Sequence, residues 1–287
     1  MSRLVLGAGG ILGGALVRHY AALGMPCVAA PHAALDLCDT PALEAVLDRD
    51  RPACVFNAAA LTAVDRCETE RERAFEVNAA APARAAAACR ARGLRFVHVS
   101  TDYVFDGARR RPYREDDLAR PLSVYGASKL EGERRVLAED PSALVVRVAW
   151  VFDRGGRTFL CRLRKMIASD ETLRVANDRI GNCTYASDLA TALEALVARR
   201  AEGLMHFSNR GELSWFDFAA ALVEEAHRLG LPVRCRAIEP ISSASLGLPA
   251  RRPPYSVLDT ARYETLTGHA VRPWRETLLD FLRESRD

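Results

Sequence analysis

The chain has 287 residues, 49% of them hydrophobic, 7% aromatic and 27% charged, and its 40 basic and 37 acidic residues leave a formal net charge of +3. At roughly 150 residues per domain this is one large or two modest domains with volume for a real core, which excludes a disordered chain or a fibrous repeat. A charge so nearly balanced gives no footing for nucleic-acid or membrane-surface binding, and no apolar run approaches the ~20 residues that span a bilayer. The start, Met1-Ser2-Arg3-Leu4-Val5-Leu6-Gly7, breaks into glycine too early for a signal peptide. Eight cysteines (27, 38, 54, 67, 89, 161, 183, 235) include no CxxC pair and read as apolar fillers in a reducing cytoplasm, not as a disulfide framework or zinc cage. Only two of the 40 basic residues are lysines, Lys129 and Lys165. A lysine in so arginine-rich a chain marks a place where a compact ammonium does what a guanidinium cannot.

In chain order, Arg3–Leu6 reads as a short buried strand that meets the glycine-rich run from Gly7 to Gly14, followed by a helix from Ala15 to Leu23. Cys27–Ala30 is a second strand, Thr40-Pro41 a helix start, and Ala53–Asn57 a third strand. A single Ala-rich helix is predicted from Glu68 to Arg92, closed by Gly93. Arg95–Ser100 is the fourth strand, Tyr125–Glu139 a helix, and Leu144–Trp150 the fifth strand. Strands alternating with helices of this length indicate βαβ units and a parallel sheet covered on both faces. Beyond Trp150 the alternation loosens: a helix at Phe159–Ala168, a strand near Leu173–Val175, a helix from Ser187, and a capping box at Ser214–Asp217 opening a helix to Leu229. Trp215, Phe216 and Phe218 on that helix read as core, and the Pro- and Ser-rich stretch from Pro240 to Pro254 as a loop-rich lobe. The expected fold class is α/β, a Rossmann-like doubly wound parallel sheet with a smaller C-terminal substrate-binding lobe. Residues 1–150 form the dinucleotide-binding unit with 172–204 returning to it, and 151–171 with 205–287 form the lobe.

The spacing Gly7-x-x-Gly10-x-x-Gly13 sits between a strand and a helix, the context that gives the pattern meaning. A tight turn, close approach of backbone to a pyrophosphate and close helix–strand packing each favour residues without Cβ, and the phosphates would rest on the helix N-terminus. The second strand ends Ala30-Pro31-His32 with neither acid nor arginine, so NADH and NADPH stay equally open. Asp36, within Leu35-Asp36-Leu37, reads either as an adenine-edge contact or as a cap. Small residues at Ala58, Ala59 and Ala60 would let the third strand's end face the cofactor.

Tyr125 and Lys129 stand at i and i+4, on one helical face. A phenol near its reference pKa of about 10 exchanges protons poorly at neutral pH, and a nearby ammonium is expected to lower that value. Thr101, at the tip of the fourth strand, offers a hydroxyl either to the substrate oxygen that Tyr125 would protonate or to turn chemistry. Arg252 is balanced between gripping a nucleotide diphosphate and a surface role.

With these motifs in place the chain resembles the dTDP-4-dehydrorhamnose reductase family, extended short-chain dehydrogenase/reductases. The resemblance is carried by Asn57-Ala58-Ala59-Ala60 with Thr62 to Asp65, by Ser100 to Gly107, by Val124 to Lys129, by Trp150-Val151-Phe152, by Asn177 to Gly181, and by Arg252-Pro253 leading to Ser256 through Thr260. It implies hydride transfer from NADPH or NADH to the C4 ketone of a nucleotide-linked 4-keto-6-deoxy sugar, most simply dTDP-4-dehydro-L-rhamnose. In that scheme Tyr125 is the proton donor, Lys129 its partner and the ribose anchor, and Thr101 the hydroxyl beside the carbonyl. Asp102, Tyr103, Trp150 and Arg252 would face the sugar nucleotide. Gly7, Gly10, Ile11, Leu12, Gly13, Asp36, Leu37, Ala58, Ala59 and Ala60 would face the cofactor. The resemblance also implies a homodimer and, in some members, a Mg²⁺ at the dimer contact for which no ligand residue is identified here. The alternatives are a dehydratase or epimerase of the same superfamily, and a non-catalytic NADP-binding regulatory subunit. Tyr103 directly after Asp102, where dehydratases carry further acids, favours plain reduction.

Overall fold

The structure, a computed structural model, describes residues 2–154 and 159–283. Residues 155–158 and 284–287 of the expected second lobe lie outside the described residues. Six strands form the central sheet: β1 (Arg3–Leu6), β2 (Cys27–Ala30), β3 (Cys54–Asn57), β4 (Arg95–Thr101), β5 (Leu144–Val148) and β6 (Gly203–Phe207). All pairings are parallel, in the order β6-β5-β4-β3-β1-β2. Every residue of β3 and β5 is buried, as a parallel sheet covered on both faces requires. Alternation along β1 divides its side chains between the two faces. Val5 packs with Leu16, Tyr20, Leu189 and Leu193 of the helices Ile11–Ala22 and Ala186–Ala198, while Leu4 and Leu6 pack with Leu43, Leu47, Ala85 and Val136 on the other side.

The chain leaves β1 for the edge strand β2 and then returns across β1 to β3, so β1 and β3 flank a topological switch point. A crevice opens at such a point, beyond the carboxyl ends of the strands. The second lobe stands over that edge. Its core joins Phe152, from the short strand Val151–Phe152, to Leu163, Phe218, Leu222, Leu278 and Phe281 from the helices Phe159–Ser169, Trp215–Arg228 and Trp274–Arg283. Among the described residues, no helix is long and apolar enough to cross a membrane.

Several expectations are corrected. The stretch 68–92 is not one helix: it runs as Val64–Thr69, Arg71–Phe75, a π segment Glu76–Ala80 and Ala81–Ala91. Pro82 has no amide hydrogen for the carbonyl of Asn78, so α-helical pairing fails there. The Asn78 side chain meanwhile holds both backbone groups of Leu61, at 2.8 and 3.1 Å. The fifth strand stops at Val148 instead of Trp150, because Trp150 takes a left-handed φ of +42°. The sheet's last strand, 203–207, straddles the expected division at residue 204/205. Thr172–Ala176, within the stretch 172–204 expected to return to the dinucleotide-binding unit, pairs with Ala237–Ile241 of the expected lobe. That pairing also places a strand inside the stretch read as loop, with Pro240 at its edge.

Candidate active site

A cavity of about 910 Å³ lies at the carboxyl edge of the sheet, between it and the second lobe. Its floor begins at the glycine turn. Gly7 has φ +75°, and a Cβ on Gly13 would stand 2.2 Å from the Gly7 carbonyl oxygen, so neither position tolerates a side chain. The helix that follows opens at Gly10 with no side-chain cap, leaving its first amides free for an anion. Gly10, Ile11 and Leu12 line the cavity, as do Ala58, Ala59 and Ala60 from the end of β3. Gly7 and Gly13 shape the turn from behind.

Thr101, Asp102 and Tyr103 enter the cavity where β4 ends. Thr101 caps the short 3₁₀ turn Asp102–Val104 by accepting from the Tyr103 amide at 3.3 Å. Asp102 is 2% exposed, and its Oδ2 accepts from Ser256 at 2.6 Å across the lobe boundary. Burial pushes its carboxyl up to about 7, against hydrogen bonds from Ser256 and Thr101 that favour the ionised form.

Ser123 caps the helix Val124–Glu139 through the Gly126 amide at 3.1 Å, which sets Tyr125 in the first turn and Lys129 in the second. Tyr125 and Thr101 line the cavity together, with their side chains close enough to interact. The Tyr125 phenol is pushed above its ordinary range chiefly by burial. This corrects the expectation that a neighbouring ammonium lowers it. Lys129 is 2% exposed, donates to the Val99 carbonyl at 2.6 Å and faces Nε2 of His98 at 3.4 Å. Burial pulls Lys129 down to about 8, with Glu133 working the other way.

Trp150 closes one side of the cavity, stacked on Trp215 with ring centroids 3.9 Å apart and planes 12° from parallel. Of the three aromatics on the helix Trp215–Arg228, Phe218 is buried in the lobe core and Trp215 and Phe216 pack half-buried against it, with Trp215 also lining the cavity. Arg18 and Asp153, also lining, are ion-paired across the gap between the first helix and the lobe. Nothing local in the sequence marks Arg18, Asp153 or Trp215; each is recruited by tertiary packing.

Three predicted contacts do not reach the cavity. Leu37 is buried in the core beside Leu35 and Leu43. Asp36 accepts from the Cys38 amide at 3.0 Å and pairs with Arg73 at 3.7 Å, while the N-cap of the helix Thr40–Asp50 is Asp39. Arg252 forms a two-pronged pair with Asp65, at 2.9 and 2.5 Å.

Comparison with known proteins agrees with this geometry. The family model described as RmlD substrate binding domain matches residues 1–286. A dTDP-4-dehydrorhamnose reductase of Mycobacterium tuberculosis (strain ATCC 25618 / H37Rv) is 40% identical, over 96% of this chain and 91% of that protein. A solved dTDP-4-dehydrorhamnose reductase from Clostridium acetobutylicum ATCC 824 matches with a TM-score of 0.94 at 32% identity, covering 100% of both chains. Another, from Bacillus anthracis str. Ames in complex with NADP, matches with a TM-score of 0.91 at 31% identity over 99% of each chain. The chain thus belongs to the RmlD substrate binding domain family, the family of the dTDP-4-dehydrorhamnose reductases.

Proposed function

We propose that this protein reduces the C4 ketone of a dTDP-linked 4-keto-6-deoxy sugar, dTDP-4-dehydro-L-rhamnose in the first instance, with Tyr125 as proton donor. The observation that carries the reading is that buried Tyr125 meets Thr101 and Lys129 in the cavity that the glycine turn also floors. A turn without Cβ atoms and an uncapped helix N-terminus fit a dinucleotide pyrophosphate. A bound NADPH or NADH supplies the hydride that the ketone carbon receives.

The chain's own residues do the remainder. Thr101 and Tyr125 offer two hydroxyls to one carbonyl oxygen. Tyr125, kept protonated by burial, gives its proton to that oxygen as negative charge develops there, a contribution of about 10²–10⁴ in rate. Lys129 anchors the nicotinamide ribose and supports the tyrosinate left after transfer. Trp150 with Trp215 walls the sugar pocket, and the charge of Arg252, paired with Asp65, acts on Tyr103 at its edge. The central sheet carries the cofactor, and the lobe built on the Phe152–Phe281 core carries the sugar nucleotide. Incubation with dTDP-4-dehydrorhamnose and NADPH or NADH tests the reading: one equivalent of cofactor oxidised per sugar reduced supports it. Turnover of dTDP-glucose to a 4-keto sugar without net cofactor consumption would replace it with the dehydratase alternative.

A further inference from the structure

Behind Lys129 lie two buried polar side chains that this chemistry does not use, and they form a row with it. Asn57 ends β3, His98 sits opposite it in the register of β4, and Lys129 follows; their exposures are 1%, 0% and 2%. The hydrogen bonds fix each group's role. The Asn57 Oδ1 accepts from the Ala59 amide at 3.1 Å, so the amide nitrogen is the atom turned to His98. That nitrogen lies 3.0 Å from His98 Nδ1, which must therefore accept. A neutral imidazole accepting at Nδ1 carries its hydrogen on Nε2, and complete burial keeps His98 neutral. The Nε2–H is thereby aimed at Lys129 Nζ, 3.4 Å away. An ammonium has three donors and no lone pair, so it would meet this N–H head-on. An uncharged amine has one lone pair for it and still donates to the Val99 carbonyl at 2.6 Å.

We propose that His98, oriented by Asn57, is a positioning residue that favours the uncharged amine of Lys129 in the cofactor-free enzyme, so that in mildly alkaline solution cofactor binding draws a proton onto the lysine. The inference rests on the reductase reading only in taking NADPH or NADH as the ligand that meets Lys129. The titratable groups around the lysine are few. His98 faces it from β4, and Tyr125 and Glu133 share its own helix. Asp102 and Cys67 act on Tyr125 from the neighbouring elements. Glu133 favours the ammonium, but its carboxylate is held by Arg147 of β5, at 2.9 and 2.7 Å, and accepts from Ser100 of β4. The fall of Lys129 to about 8 through burial agrees with the geometry.

The test is proton uptake on cofactor binding, read by titration calorimetry of the whole chain with NADPH, and in parallel NADH, in buffers of different ionisation enthalpy. The wild type is expected to take up little at pH 6.5 and most of one proton, about 0.8, near pH 9, where the free lysine has discharged. Two variants remove the lock by different routes. His98→Gln offers the ammonium an acceptor. Asn57→Asp draws the imidazole hydrogen to Nδ1 and turns Nε2 into an acceptor. Both are expected to cut uptake at pH 9 at least threefold while cofactor still binds. Binding with no uptake by the wild type at pH 9, or full uptake in both variants, overturns the inference. Binding of neither cofactor overturns the reductase reading instead.

Discussion

Trp150 lies flat against Trp215 across the boundary between the sheet and the lobe, and holds that position with a left-handed backbone at φ +42°. A bulky side chain in this region costs on the order of 1–3 kcal/mol and persists only where its surroundings over-determine it. Here they do: Phe159 packs edge-on against Trp215 at 5.0 Å, and Gly181 leaves space for the Trp150 ring. A Cβ on Gly181 would stand 2.8 Å from that indole. Gly181→Ala and Trp215→Ala are therefore expected to raise the KM for the sugar nucleotide roughly tenfold, the size of a lost aromatic contact. NADPH affinity should stay within about twofold, since the glycine turn is untouched. Steady-state kinetics with each substrate varied in turn checks this; equal losses for both would mean that the stack supports the fold and not the pocket.

Tyr125→Phe removes the proton and keeps the ring that packs edge-on against Tyr103 at 5.8 Å. The expected result is a fall in kcat of about 10²–10⁴ with cofactor binding retained. Thr101→Val removes the partner hydroxyl and should lower kcat less, by roughly tenfold to a hundredfold. A Tyr125→Phe enzyme with more than a tenth of wild-type kcat would take the proton-donor role away from this residue.

The parts of the site legible in the sequence are those that local geometry dictates. The strand–glycine–helix turn, the i, i+4 spacing of Tyr125 and Lys129, and the hydroxyl at the tip of β4 each follow from a few consecutive residues. Residues that reach the cavity by tertiary packing carry no such mark. Arg18 looks like any exposed helical arginine until Asp153 is placed opposite, and Asn57 and His98 meet only through the β3–β4 register. Asp36 and Leu37, read toward the cofactor, show the converse: a side chain–amide turn at Cys38 holds one side chain and the core takes the other. The broken helix at Asn78 was foreseeable from Pro82 alone, because a proline amide leaves the carbonyl four residues back unpaired.

Glu133 and Arg147 form a two-pronged pair with both side chains 3% exposed, beneath the end of β4. Removing one partner strands a buried charge, a loss of about 3–5 kcal/mol for pairs of this kind. Glu133→Gln should accordingly shift the denaturation midpoint by that much, while Glu133→Gln with Arg147→Met should recover a large part. His206 at 3.5 Å and the Phe105 ring at 5.1 Å are the contacts left to a stranded Arg147. A single-variant loss under about 1 kcal/mol would show that these two suffice to satisfy the guanidinium.

Asp102 couples stability to pH in a direction opposite to most surface carboxylates. Its native value is raised to about 7 by burial, from 3.8 as an exposed group. The native state then keeps a proton that the unfolded chain has released. Its contribution is complete below about pH 4 and is lost as pH rises through about 7, at up to about 1.4 kcal/mol per pH unit. Asn at this position is neutral throughout and can still accept from Ser256, so Asp102→Asn should lack that slope. The variant's Tm relative to wild type is expected to climb between pH 5 and 7.5, by several degrees for a chain of this size, and then level off. A Tm difference that stays flat across this window would mean that Asp102 is ionised in the native protein, with Ser256 and Thr101 supplying the charge stabilisation that burial withholds.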